Sequence, residues 1–234
     1  IRNAVLGAMQ ILSQEFVIGR NFKDINKMSG LEKEVFSFDM LGEAARTPQQ
    51  ANDYFESYRD AIHEVGKINT KRNLSNGVSI KISALHPRYE MRKINQIESE
   101  LLPKLKELVI YAHSKNVEIT IDAEEQDRLS LSLHIIENLA NEKKIKDWPG
   151  FGIALQAYGK RSFDVIHWLS EILTKRDSIH LRLVKGAYWD YEIKHAQVSG
   201  YEGYPVFSKK SFTDIASVSY THLRAHETMT HLVC

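Results

Sequence analysis

The hydrophobic positions of this chain follow two different periods. Residues 1–35 carry apolar side chains at Val5, Met9, Ile11, Leu12 and Phe16, a helical spacing that breaks at Gly19. From Phe36 onward, short apolar runs alternate with longer helical stretches. The runs are FSFDML (36–41), GVSIKIS (77–83), EITIDAE (118–124), GFGIALQAY (150–158) and HLRLVKGAY (180–188), and their composition predicts strands. The intervening stretches at about 48–65, 97–116, 129–143 and 162–175 predict helices, and a last helix is expected at about 190–198. Thr47-Pro48 supplies an N-cap residue followed by Pro at the first helical position. Ser75-Asn76-Gly77 is a turn signal ahead of the second strand.

The expected strands begin near residues 36, 77, 118, 151 and 180, a spacing of roughly 30–40 residues that suits βα units. Repeated units of this kind imply a parallel sheet. The pattern alone leaves an open doubly wound sheet and a (β/α)8 barrel both standing. Eight barrel units take about 250 residues. Only five strands fit before residue 217, so a barrel here is expected to be cut short.

Composition narrows the class. Of 234 residues, 43% are hydrophobic and 26% charged, which is ordinary for a soluble domain. The formal net charge of +1 gives no electrostatic case for nucleic acid or an anionic membrane surface. No apolar run approaches the roughly 20 residues needed to span a bilayer. The N-terminus has no signal-peptide pattern, and one Cys excludes an internal disulfide framework. These features lead us to expect a cytoplasmic protein. The chain begins at Ile1, so a start inside a longer protein is expected.

The last residues read differently from the rest. HETMTH (226–231) is not a zinc helix, because three residues separate Glu227 from His231. VSYTHLRAHET (218–228) resembles the translation of a transposase-type sequencing adapter. Leu232-Val233-Cys234 matches that adapter's continuation after a short index. Residues 218–234 are therefore expected to be foreign and are set aside. This removes the single Cys and three of ten His, while Arg224 and Glu227 cancel in charge. The expected organisation is a helical segment (1–35), a partial barrel (36–217) and an adapter-derived tail (218–234).

In parallel α/β folds, ligands bind at the C-terminal ends of the strands. Reading those ends gives Asp39 and Glu43, then Lys81 with Ser83 to Tyr89, then Asp122 and Glu124, then Gln156 to Tyr158, then Arg182 and Lys185 to Asp190. Charged residues inside apolar strands are costly unless paired or ligand-bound. Plainer readings stand beside each. Lys81 and Asp122 can form a structural ion pair. Asp122 and Glu124 can cap the next helix. Tyr188 and Trp189 can be rim packing, and His86 before Pro87 can shape a turn. Glu125 and Arg128 read as a solvated helix face, and His63, His113, His134, His167 and His195 as packing or surface residues. Gly150-Phe151-Gly152 precedes a strand and is not a dinucleotide loop. No Walker loop, zinc ligand set or catalytic Ser–His–Asp elbow is evident. Residue types alone stop at an α/β enzyme with a small anionic ligand.

Six segments carry a closer resemblance: FSFDMLGEAA (36–45), SIKISALHPRYE (79–90), IDAEEQDRLSLSL (121–133), QAYGKR (156–161), RLVKGAYWDYEIKHAQ (182–197) and GYPVFSKKSFTD (203–214). In this order they resemble the proline dehydrogenase domain of the bifunctional proline utilization A flavoenzymes. The resemblance implies a (β/α)8 barrel that binds FAD noncovalently and oxidises L-proline to Δ1-pyrroline-5-carboxylate, with hydride passing from proline C5 to flavin N5. It implies a membrane quinone as electron acceptor, hence a protein peripheral to the inner membrane, and allows a homo-oligomeric parent with a second, NAD-dependent dehydrogenase domain.

The resemblance also assigns roles. Lys81 matches the lysine that binds the proline carboxylate, and Tyr188 the aromatic beside the substrate ring. Asp122 and Glu124 match acids of the substrate pocket, and Glu43 an acid that pairs with a substrate-site arginine as a gate. Gln156, Arg182, Lys185, Gly186, Ala187 and Trp189 match flavin-contacting positions, with Arg182 near flavin N5. Ser208, Lys209 and Lys210 match a phosphate-side region, with Ser208 standing where the family has Thr. No residue matches a metal ligand. The paired arginines of the family's last barrel helix are expected beyond residue 217, so this chain alone is expected to be inactive. Two other functions are weighed: a Schiff-base aldolase using Lys81 or Lys185, and a parent that is a proline-responsive DNA-binding repressor.

Overall fold

The computed structural model describes residues 35–226, apart from Leu41 and Leu74. The helical segment expected at 1–35 lies outside the described residues except for Val35, and so do residues 227–234.

Five strands form one sheet: β1 (Ser37–Asp39), β2 (Gly77–Ile80), β3 (Glu118–Ile121), β4 (Phe151–Gln156) and β5 (His180–Val184). Every neighbouring pair is parallel, and the spatial order β1-β2-β3-β4-β5 repeats the chain order. A doubly wound sheet reverses its order part-way. This sheet does not. One face carries Phe38, Val78, Ile80, Ile119, Ile121, Ile153, Leu155 and Leu181, all buried in the hydrophobic core with the helices. The polar strand residues Ser37, Asp39, Ser79, Thr120, Gln156, His180 and Arg182 all fall on the alternate positions.

The polar face is concave. A flat sheet would hold β1 and β5 four spacings apart, ~19 Å at about 4.8 Å each. Yet Arg182 Nη1 on β5 reaches the Ser37 hydroxyl on β1 at 3.5 Å. The sheet must curl for those atoms to meet, as in a (β/α)8 wall.

The helices form for local reasons. In α1 (Pro48–Arg72), Thr47 Oγ1 accepts from the Gln50 amide at 3.1 Å and Pro48 opens the first turn. Its buried positions Ala51, Tyr58, Ala61, Ile62, Val65 and Ile68 keep helical spacing, so it runs past residue 65 to a left-handed stop at Asn73. A helical turn at Ile94–Gln96 and a π-turn at Ile97–Leu101 lead into α2 (Leu102–Ser114). Pro103 has no N–H for the carbonyl of Ser99, which accounts for the wider turn there. Then come α3 (Leu129–Ala140), α4 (Ser162–Leu173), α5 (Trp189–Val198) and α6 (Lys210–His226).

Two expectations change. Strand β2 ends at Ile80, so Lys81 lies just beyond it: the buried Tyr58 hydroxyl on α1 takes the Lys81 amide at 3.1 Å, and the chain turns into a 3-10 helix, Ile82–Leu85. Helix α6 was not expected. It buries Thr213, Ala216 and Tyr220 on one side and runs through Val218 without a break. Helical pattern therefore does not mark where the adapter-like residues begin.

Candidate active site

The C-terminal ends of the strands carry two tiers of polar contacts. The inner tier is a chain of charges in the lumen. Lys81 Nζ donates to both oxygens of Asp39, at 2.9 and 2.8 Å, and to Asp122 Oδ2 at 3.2 Å. Asp122 Oδ1 in turn accepts from Arg182 Nη2. Arg182 Nη1 donates to Ser79 at 2.9 Å, and the Ser79 and Ser37 hydroxyls are 3.1 Å apart. Four strand ends thus feed one alternating row, Asp39–Lys81–Asp122–Arg182. Deeper in the lumen, His180 Nε2 meets Thr120 Oγ1 at 3.0 Å, across β4. Gly152 makes this crossing possible, because a Cβ there would lie 1.9 Å from the His180 ring.

The outer tier is a belt that ties four strand-to-helix loops and the end of β4 together. The amides of Ala44 and Ala45 donate to the Ser83 hydroxyl and carbonyl, both at 2.9 Å. The Ser83 amide donates to Glu124 Oε1 at 3.0 Å. Gln156 Nε2 donates to the Glu124 carbonyl at 2.9 Å, and Gln156 Oε1 accepts from the Ala187 amide at 2.8 Å. Buried polar groups linked in this way fix loop positions to one another.

Burial and neighbours set the charges. Burial pushes the Asp122 carboxyl above its usual range, against the pull of Arg182 and Lys81. Burial alone would lower Lys81, but the hydrogen bond to Asp39 and the charge of Asp122 hold it above the ordinary lysine value. Burial also raises Glu124, despite the Ser83 amide and Arg128. Burial depresses His180 below the ordinary histidine value, and Arg182 adds to this.

The remaining sequence-predicted residues sit around the same mouth. The Tyr188 hydroxyl donates to Glu43 at 3.1 Å, and burial with that carboxylate raises its pKa. Trp189 Nε1 donates to the Phe207 carbonyl at 2.9 Å. Tyr158, Lys185, Gly186, Trp189, Ser208 and Lys210 line a pocket of about 460 Å³. There Lys185 and Lys210 converge on Asp214, at 2.6 and 2.8 Å. Lys209 is exposed beside them. Gly186 has φ +146°, and a Cβ would lie 2.4 Å from the Tyr158 ring. Glycine is needed there for backbone conformation and for Tyr158 alike.

Some plain readings fail. Glu124 does not cap α3: its carboxylate takes the Ser83 amide and Arg128 Nη1, at 3.0 and 3.1 Å. Arg128 and Glu125 are not on a solvated face; both are half-buried and paired at 3.2 Å. Others hold: His86 Nδ1 accepts the Arg88 amide at 3.1 Å and shapes its turn. Four groups gained no role from sequence. Asp39 was legible as a strand end only. Ser37 and Ser79 were findable from strand alternation, because they share a face with Asp39 and Lys81. Tyr58 gave no signal at all.

A model of the proline dehydrogenase family matches residues 22–229. This chain belongs to that family. It is 44% identical over 222 residues to the bifunctional protein PutA of Escherichia coli, a match covering 92% of this chain and 17% of that protein. Among solved structures, a mutant of Bradyrhizobium japonicum proline utilization A superposes with TM-score 0.85 at 40% identity, covering 97% of this chain and 24% of the other. Proline utilization A from Bdellovibrio bacteriovorus gives TM-score 0.87 at 26% identity, covering 95% and 25%. The chain thus spans about a sixth of the curated relative's length. The proline dehydrogenase family accounts for the barrel-type order of strands.

Proposed function

We propose that this chain supplies the substrate and flavin mouth of an FAD-dependent proline dehydrogenase, which oxidises L-proline to Δ1-pyrroline-5-carboxylate. The observation that carries the reading is the convergence of Lys81, Asp122 and Arg182 on one mouth. Lys81 offers an ammonium to the proline carboxylate, displacing Asp39, whose side chain is 53% exposed and free to yield. Asp122 stays between Lys81 and Arg182 and keeps both cations in place. Tyr188, with Glu43, closes one side of the site.

The residues fit a flavin nucleotide. Lys185 and Lys210 present cations to a pocket large enough for the phosphate-bearing part, and Arg182 places positive charge at the barrel mouth. FAD, when bound, supplies the two-electron acceptor for hydride from proline C5. Arg182 favours the negative charge that reduction deposits nearby. Within this reading residues 36–217 are five of eight barrel units, and 218–234 are the adapter-derived tail. The parent passes electrons to a membrane quinone, works in the cytoplasm against the inner membrane, and forms homo-oligomers. Among the described residues no helix is long and apolar enough to cross a membrane.

The Schiff-base alternative needs a neutral lysine. Lys81 is held charged by two carboxylates, and Lys185 is paired with Asp214. No observation favours it. The repressor reading concerns a DNA-binding module that is not among the described residues.

The test is the colour of the complete protein that carries this chain. It should purify yellow, and anaerobic L-proline should bleach the flavin absorbance. A folded, colourless protein, or a yellow one indifferent to proline, would overturn the proposal.

A further inference from the structure

We propose that Ser79, backed by Ser37, is the positioning residue that fixes the Arg182 guanidinium at the mouth of the barrel. Arginine is long and flexible, and its side chain here is 39% exposed. A single carboxylate contact leaves a guanidinium free to pivot. Asp122 holds Nη2 through one oxygen, because its other oxygen is taken by Lys81. The second anchor is the Ser79 hydroxyl, 2.9 Å from Nη1. Two anchors, one just past β3 and one on β2, define the plane of the guanidinium.

Ser37 acts at one remove. Its hydroxyl lies 3.1 Å from Ser79 Oγ but 3.5 Å from Arg182 Nη1. The shorter contact makes it a partner for Ser79 rather than for the arginine. With Nη1 donating to Ser79, the Ser79 hydroxyl is free to donate to Ser37 Oγ, which orients the Ser79 lone pairs toward the cation. Ser79 is fully buried, so its hydroxyl has no bulk water to turn to. Both serines stand on the polar face of short strands, Ser79 buried beneath the guanidinium and Ser37 exposed beside it. That choice makes sense if the arginine must be aimed.

The consequence for function rests on the flavin reading above. A guanidinium held at two points keeps its charge at a fixed distance from the acceptor's reduced form. One held at a single point spreads that charge over several positions, and its stabilising effect falls. Ser79 would then tune the flavin potential without touching the flavin.

The experiment uses the full chain with ¹⁵N-labelled arginine, and Arg182→Lys identifies the Arg182 signals. In the unsubstituted chain, Arg182 should show separate, slowly exchanging Nη signals. Ser79→Ala should merge them, Ser79→Thr should keep them separate, and Ser37→Ala should have a small effect. The double substitution should look like Ser79→Ala alone, because Ser37 works through Ser79. If Ser79→Ala does not fold, Ser79→Cys replaces it and should also merge the signals, sulfur being a weak acceptor. Unchanged Nη signals in Ser79→Ala or Ser79→Cys, or a Ser37→Ala effect that adds to that of Ser79→Ala, would overturn the proposal.

A second readout is taken in flavin-loaded protein. Ser79→Ala should lower the flavin reduction potential and slow reduction by proline about tenfold, with Ser79→Thr restoring both. A protein that takes up no flavin sinks the functional reading but leaves the Nη signals to decide this one. A loaded protein with merged signals and an unchanged potential would overturn the tuning role.

Discussion

Arg182 on β5 and Ser79 on β2 share a 2.9 Å hydrogen bond although two strands lie between them in the sheet. Only strong curvature brings them together. That curvature turns the polar face of five short strands into a lumen, and the lumen collects the charges at one mouth. Barrel shape and site chemistry are therefore two aspects of the same alternation of residues.

Lys81 is the first consequence to test. Replacing it by Met leaves Asp39 without its cation and Asp122, only 8% exposed, with Arg182 alone. Losing a charge-assisted contact of this kind costs ~3 kcal/mol, or about 100-fold in affinity. Lys81→Met should weaken proline binding by about that factor, measured by titration of the flavin spectrum. Proline binding unchanged in the variant would remove Lys81 from the site.

Tyr58 is the second. Its hydroxyl accepts the Lys81 amide at 3.1 Å from behind the sheet. Tyr58→Phe leaves that N–H without its acceptor in a buried place, a cost of ~1–3 kcal/mol. Urea unfolding should report that loss, and proline affinity should fall with it because Lys81 loses its fixed origin. A variant as stable as the parent would show that the amide has found another acceptor.

Gly186 is the third. With φ +146° and the Tyr158 ring 2.4 Å from where an alanine methyl would stand, Gly186→Ala is strained in two ways. The loop or the ring must move, at a cost of order 2 kcal/mol. Flavin uptake should weaken, since Gly186 and Tyr158 both line the 460 Å³ pocket. Equilibrium dialysis with FAD checks this.

Glu192 gives a pH-dependent prediction. It is 2% exposed and accepts from the Gln126 amide at 2.6 Å. Burial raises its pKa, and that amide only partly offsets the rise. A carboxyl whose pKa is higher folded than unfolded adds stability below the unfolded value and loses it as pH rises through the folded one. Glu192→Gln should therefore raise the melting temperature at pH 8 and make little difference near pH 4. A variant that is less stable at pH 8 would contradict this sign.

The sequence made much of this legible. Strand spacing, the Thr47-Pro48 start and the charged strand ends are local signals, and each survives in the structure. The contacts around Asp39, Ser37 and Tyr58 are not local. They depend on the sheet curling and on a helix reaching through to β2, and neither is written in spacing. Helix α6 was missed because its buried side is only Thr213, Ala216 and Tyr220, a weak stripe spread across the boundary with the adapter-like residues, while Phe212, Ile215 and Val218 are exposed. Resequencing the locus from independent DNA should give a different continuation after about residue 216; the same residues would show the tail to be native.

The central claim is that one mouth holds the proline carboxylate at Lys81 beside a flavin faced by Arg182. The most direct measurement is anaerobic titration of the flavin-loaded protein with L-proline, run in parallel on Lys81→Met. Saturable bleaching in the parent, displaced to about 100-fold higher proline in the variant, is the predicted result. Identical titration curves for the two proteins would contradict it.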